Sequence, residues 1–377
     1  MISNSLFLKI FDAASMQRWN DQIKIVEFSE LDKQAQKMVV AYILAKFESE
    51  KNGEVDWIKI IKVGLFEYFQ RIILTDLKPP LFYKIKEDKS KYHALNEWVY
   101  KEMEPYISSL GDNFCSEFKD FLLDTELKEK EDINRQILNA AHFYVTKWEF
   151  DIIETINPKG FQIEEIKRDI KLKQEEYRHL SSMKELVSST QLTDFVNICG
   201  QLRFQVRWSH LYRVPKTSVL GHMLIVAILS FLFSYVTGKD RINTINNYLT
   251  GLFHDLPEVL TRDIINPVKR SVKGLSNLIK DYEKEEMEKK IYKLIPESWH
   301  KDIKLFTENE FSDIENRDGS MVKAADDLSA FLEAYLSVKN GIQNNDFVEA
   351  LEHIEKKYRD KVISGIDMYS IFKGFRG

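Results

Sequence analysis

The sequence predicts an all-α protein, two helical bundles in tandem joined by a charged connector helix. Glycine and proline number only 14 and 8 in 377 residues, which disfavours a many-turned β architecture. The stretches Gln162–Leu180 and Tyr282–Leu294 are charged and amphipathic, as solvated helices are. The third observation is an internal repeat. Met16-Gln17-Arg18-Trp19 matches Gln205-Val206-Arg207-Trp208 at an offset of 189 residues. Gly64-Leu65-Phe66 matches Gly251-Leu252-Phe253 at 187, and Leu138 to His142 matches Val322 to Asp326 at 184. Leu74-Thr75-Asp76-Leu77 falls on the Thr261-Arg262-Asp263-Ile264 region, and these four blocks in the same order, with offsets drifting as small loop insertions would cause, predict a bundle over 1–155, a connector over 156–190 and a second bundle over 191–377.

The elements follow in order. Asn157-Pro158-Lys159-Gly160 is a turn that ends the first bundle, and Gln162–Leu180 is the connector helix. Ser188-Ser189-Thr190 punctuates the approach to the second bundle, with Asp194 a candidate cap. Val219–Val236 is apolar over 18 residues, the length of a short membrane span, but it contains His222 and has no second run like it. It is read as the central helix of a large helical domain. Tyr282–Leu294 is a helix stopped near Pro296, and Asn309–Ser320 is a polar loop. The tail from Val348 is helical to about Ile363, just before Ser364-Gly365.

Composition bounds the function. Hydrophobic residues at 44% and charged residues at 30% are those of a soluble globular protein. A net charge of −5 gives no general attraction to nucleic acid or to an anionic membrane, so any phosphate binding must be local. The two cysteines, Cys115 and Cys199, form no C-x-x-C spacing and suit a reducing compartment. The first residues lack the basic start and apolar core of a signal peptide, and the expected location is cytoplasmic.

The chemistry gathers in Gly251 to Asp263, where His254-Asp255 is followed by Glu258. If this stretch is helical, His254 and Glu258 share a face. With His222 upstream and Asp326 downstream, two imidazoles and two carboxylates can hold one borderline divalent metal (Mn, Co, Zn, Fe or Ni). Glu258 can supply a proton to a leaving alkoxide. Arg207 is the leading phosphate binder by its bidentate geometry, with Lys269 second, Lys323 third and Trp208 as a stacking surface.

The order R-W, then H, then H-D-x-x-E-V-L-T-x-D-x-x-x-P-V-K, then K-x-A-D resembles the YfbR-like 5′-deoxynucleotidases of the HD phosphohydrolase superfamily, over roughly residues 192–345. The resemblance implies a metal-dependent hydrolase with His222, His254, Asp255 and Asp326 as ligands, Glu258 catalytic and Asp263 positioning the substrate. It implies release of phosphate from deoxynucleoside 5′-monophosphates; related HD enzymes remove triphosphate from deoxynucleoside triphosphates. The family pattern has Glu before the first His and Gly inside T-G-D, where this chain has Gly221 and Arg262.

The first bundle repeats the frame without the ligands. Lys33, Glu67, Tyr68 and His142 stand at the positions of His222, His254, Asp255 and Asp326, and Arg71 at that of Glu258. It reads as a degenerate HD-like domain. Arg18, Trp19 and Asp76 either keep a nucleotide pocket, which would make this half an allosteric sensor, or are structural. A built-in dimer partner is the other expected role, since enzymes of this family are commonly homodimers. A further homo-oligomer or partner protein stays open. Such a nucleotide-depleting enzyme would suit control of deoxynucleotide pools or antiviral defence. The competing readings are a phosphodiesterase for cyclic or oligonucleotides and a non-catalytic nucleotide-sensing scaffold.

Overall fold

A serine opens the central helix of each half. Ser29 Oγ accepts the Asp32 N–H at 3.1 Å and starts α1 (Glu30–Asn52). Ser218 Oγ accepts the Gly221 N–H at 2.9 Å and starts α5 (Val219–Val236). Each cap satisfies one of the donors that a helix start leaves unpaired. Around these two helices the computed structural model describes residues 2–53, 55–75, 77–123 and 132–376.

The described residues are helical almost throughout, as expected from the composition. In the first half α1 is followed by α2 (Trp57–Leu74) and α3 (Ile133–Ile156); α4 (Ile163–Glu175) is the connector. In the second half α5 is followed by α6 (Arg241–Phe253), α7 (Gly319–Lys339) and α8 (Asn345–Lys357). Further helices, the longest of them Lys89–Ile107, lie between them. The entry into α1 and α5 is the same in both halves. Gln17 pairs with Ser29 as Val206 pairs with Ser218, and Trp19 and Trp208 both take left-handed φ values, 53° and 56°.

One apolar core runs through both halves, with α1 packed directly on α5. The connection between the bundles is therefore a shared interior as well as the charged helix. Every residue from Val219 to Ser234 is buried, which is why α5 shows no polar stripe. Among the described residues α5 is the one helix long and apolar enough to cross a bilayer, and 89% of it is covered by protein.

Three expectations are corrected. The connector helix ends at Glu175, short of Leu180, and turns take the chain on to Ser181. The C-terminal helix ends at Lys357 rather than Ile363. Val362–Ile363 and Ile366–Asp367 then form a two-stranded ribbon, because Ser364 and Gly365 adopt φ values of 48° and 91° and close a two-residue hairpin. The third correction, at His254, belongs to the site.

Gly251 sets the spacing of α5 and α6. A Cβ there would lie 2.7 Å from the Cα and N of Ala227, so only glycine lets the two backbones meet. At the matching Gly64 a Cβ would meet the flexible Met38 side chain, with Sδ at 2.7 Å. Gly251→Ala is expected to lower stability by about 2 kcal/mol or more, and Gly64→Ala by about 1 kcal/mol or less, in denaturant unfolding of the full chain. Equal losses would show that backbone contact does not set this spacing.

Candidate metal centre

Two imidazoles converge because each is held by its far nitrogen. His222, in the first turn of α5, has Nδ1 2.9 Å from Ser329 Oγ. His254 has Nδ1 2.9 Å from the carbonyl of Gly251. The two Nε2 atoms are thereby turned inward, with ring centroids 5.4 Å apart.

His254 lies beyond the end of α6, which stops at Phe253. Residues 254–257 form a tight turn, with Leu256 N–H on Phe253 O and Glu258 N–H on Asp255 O, before a single helical turn, Glu258–Thr261. The expected shared helical face of His254 and Glu258 is corrected accordingly: Pro257 has no N–H to continue the ladder.

The carboxylates complete the cluster. Asp255 Oδ2 is 3.3 Å from His254 Nε2 and 3.7 Å from His222 Nε2. Asp326 Oδ1 is 3.0 Å from His222 Nε2 and 4.0 Å from His254 Nε2. Single atoms of His222, His254 and Asp255 all lie within 4.8 Å of one another. His254 Nε2 is buried without a hydrogen-bond partner among the described residues, as a nitrogen awaiting a cation would be. The donor set, imidazole nitrogen plus carboxylate oxygen, fits a divalent transition metal.

Electrostatics agree with the geometry. Burial opposes a charge on His254, but Asp255 and Asp326 outweigh it and raise its pKa to about 9. Burial also opposes charge on Asp255, yet His254, His222 and Arg207 hold it well below the usual carboxylate range. Asp326 is likewise held low against burial, first by Lys323 and then by the histidines. Glu258 goes the other way. Burial, then Asp255 and Asp263, push its pKa well above the ordinary value, and its Oε2 is buried without a partner among the described residues. Such surroundings favour the neutral carboxyl over the carboxylate.

Asp326 is displayed with two other residues of α7. Ser329 and Glu333, three and seven residues on, share its face. Ser329 orients His222. Glu333 is fully buried and accepts from Arg207 Nε at 3.2 Å, Trp208 Nε1 at 2.8 Å and Thr217 Oγ1 at 2.5 Å. Arg207 is thus clamped by one side while its Nη1 lies 3.7 Å from Asp255 Oδ2.

The remaining expected residues fall at the edge. Lys269 Nζ is 3.8 Å from Glu258 Oε1. Lys323 bonds Asp326 Oδ2 at 2.6 Å and Asp327 Oδ1 at 3.0 Å, so it braces a ligand. Asp327 itself is taken by Lys323, Lys357 and Tyr358. Asp263 adds its charge at Arg207 and Glu258. Arg262, where the family pattern has glycine, adopts a backbone suited to glycine, φ 65° and ψ 166°.

Sequence reading missed Glu333, Ser329 and Phe311. The signal for Glu333 was available: Glu149 precedes it by the same 184 residues that separate His142 from Asp326. Phe311 lies in the polar loop, 6.0 Å from the His254 ring and 4.6 Å under the Lys323 ammonium. Nothing in its sequence neighbourhood marks it.

In the first half Arg18 Nε and Trp19 Nε1 bond Glu149 Oε2 at 2.9 and 2.8 Å. Asp76 lies outside the described residues.

Residues 199–366 match the protein family described as HD domain. The second half of the chain carries an HD domain. A 5′-deoxynucleotidase of Pectobacterium atrosepticum is 27% identical over 173 residues, 45% of this chain and 84% of the relative. A 5′-deoxynucleotidase of Yersinia pestis is 27% identical over 168 residues, 44% of this chain and 83% of the relative. The HD domain makes the protein a hydrolase of the HD phosphohydrolase type, and its His/Asp cluster suits the metal that HD domains use.

Glu333 offers a test. Its pKa is held down at about 2, against burial, by Arg207 and then Arg213. A depressed folded-state pKa contributes stability above the unfolded value near 4.5, and that stability is lost as pH falls towards 2. Glu333→Gln strands two buried guanidiniums and is expected to cost about 3–5 kcal/mol at pH 7. It should also flatten the fall in stability between those two pH values. An unfolding series with unchanged pH dependence would remove this role.

Proposed function

We propose that the HD domain hydrolyses the phosphate ester of deoxynucleotides, releasing phosphate from deoxynucleoside 5′-monophosphates. The observation that carries this is the meeting, at one centre, of a buried imidazole nitrogen on His254 and a buried carboxyl oxygen on Glu258 that make no hydrogen bond among the described residues. The similarity to 5′-deoxynucleotidases supports the substrate class.

In this reading His222, His254, Asp255 and Asp326 hold one divalent transition metal, which supplies Lewis-acid polarisation and lowers the pKa of the attacking water. Arg207, fixed through Nε by Glu333, offers its free edge to the phosphoryl oxygens. The phosphorus–oxygen bond to the 5′ carbon breaks as water attacks phosphorus. Glu258, protonated because it is buried among acids, gives its proton to the departing alkoxide. Lys269 beside Glu258 balances charge on the phosphate, Asp263 and Trp208 position the sugar, and Lys323 braces Asp326. The products are a deoxynucleoside and inorganic phosphate.

The division into a degenerate HD-like half (1–155), a connector (156–190) and a catalytic half (191–377) belongs to the same proposal. In support, both halves enter their central helix identically and clamp an Arg-Trp pair on a buried glutamate. The first half then acts as a built-in partner. Asp32, on α1, accepts from Ser218 Oγ at the start of the helix that carries His222, and a side chain at Gly221 would collide with Leu31 and Asp32.

With Mn²⁺ or Co²⁺ supplied, the enzyme is expected to turn over deoxynucleoside monophosphates. Asp255→Asn should lose both turnover and calorimetric Mn²⁺ binding. Glu258→Gln should keep Mn²⁺ binding and lose about 10²–10⁴-fold in kcat. Absence of turnover on every deoxynucleoside mono- and triphosphate would defeat the proposal, and triphosphate release would move it to the related reaction.

A further inference from the structure

In the first half the groups at the positions of the second half's cluster are paired with one another. Arg18 Nη1 bonds Glu30 Oε2 at 2.8 Å, and Arg71 Nε is 3.4 Å from the same oxygen. Arg18 and Arg71 correspond by their offsets to Arg207 and Glu258, and Glu30 corresponds to Val219. Where the catalytic half has a valine that accepts nothing, this half has a carboxylate between two guanidiniums. Glu30 is buried, with 2% of its side chain exposed, whereas 28% of the Arg71 side chain reaches solvent. An anion arriving from outside would find this position already taken.

The cation position is filled in the same manner. Lys33, fully buried, stands at the position of His222, and its ammonium bonds His142 Nδ1, at the position of Asp326. Burial pushes both the Lys33 and the His142 pKa well down. The other two ligand positions point elsewhere. Glu67 bonds Lys37 at 2.7 Å, and the Tyr68 hydroxyl donates to the Ile10 carbonyl.

We infer that the first half contains an anion site of the phosphate-ester class, built on Arg18 and Arg71 and occupied by the chain's own Glu30, with Lys33 replacing a metal ion. This half therefore takes up neither nucleotide nor divalent cation in the wild-type chain. The inference rests on the duplication proposed above and concerns only binding, so it can fail or succeed independently of the reaction.

The test is calorimetry on the full chain with inorganic phosphate, deoxyadenosine monophosphate and Mn²⁺ as separate probes. Glu30→Gln and Glu30→Val free the two guanidiniums and are expected to bind one more equivalent of phosphate or nucleotide than the wild type, whatever number the wild type shows. Adding Arg18→Ala should remove that extra equivalent, and none of these changes should alter Mn²⁺ stoichiometry. Glu30→Gln keeps the side-chain shape if the valine variant fails to fold, and its melting temperature should rise with phosphate more steeply than that of the wild type. Loss of a bound nucleotide from the wild type on Arg18→Ala alone would overturn the inference. So would folded Glu30 variants that gain no equivalent.

Discussion

A carboxylate with no access to water must find donors inside the protein, and Glu333 finds them in Arg207, Trp208 and Thr217. Those donors come from the loop that leads into α5, while Glu333 sits two turns along the same face of α7 as Asp326. One ion-pair network thus fixes Arg207 relative to Asp326. It also explains how Trp208 tolerates φ 56°, since its ring nitrogen is tied down and its ring packs on Phe347 at 5.5 Å. Breaking the network leaves buried charges unpaired, which is far more costly than losing an exposed pair.

The two halves answer the same electrostatic problem differently. Carboxylates and imidazoles gathered around α5 leave a nitrogen and an oxygen without a hydrogen bond among the described residues. Around α1, Lys33 and His142 satisfy one another and Glu30 satisfies two arginines. A completed network stabilises its half without any ligand, and an incomplete one is where chemistry can occur.

Much of this was legible beforehand because metal ligands and glycines are rare residue types at informative spacings. His222, His254, Asp255 and Asp326 could be named from four short motifs, and the all-helical fold from scarce glycine and proline. What sequence could not supply was distance across the fold. Glu333 looks like any acid on a helix until α7 is packed beside the Arg207 loop, and Phe311 looks like a loop residue. The break after Phe253 was hidden because His254 to Glu258 keeps helical spacing on paper, whereas Pro257 and the i to i+3 turns decide the backbone. The hairpin at Ser364-Gly365 was misread because its flanking strands have only two residues each, too short for an alternating pattern to register.

The close contact of α1 and α5 makes the first half part of the surroundings of His222. An entirely apolar helix cannot face water, and α5 carries a metal ligand in its first turn, so whatever covers it also sets the position of His222. α6 and α7 cover most of it and α1 covers the rest, with Leu31 and Asp32 filling the space that a side chain at Gly221 would need. Glycine at 221 and aspartate at 32 therefore make sense only as a pair: the first clears room, and the second uses that room to bind Ser218 at the helix start. A catalytic half released from this contact would expose one of the most apolar helices in the chain and lose the acceptor at its cap.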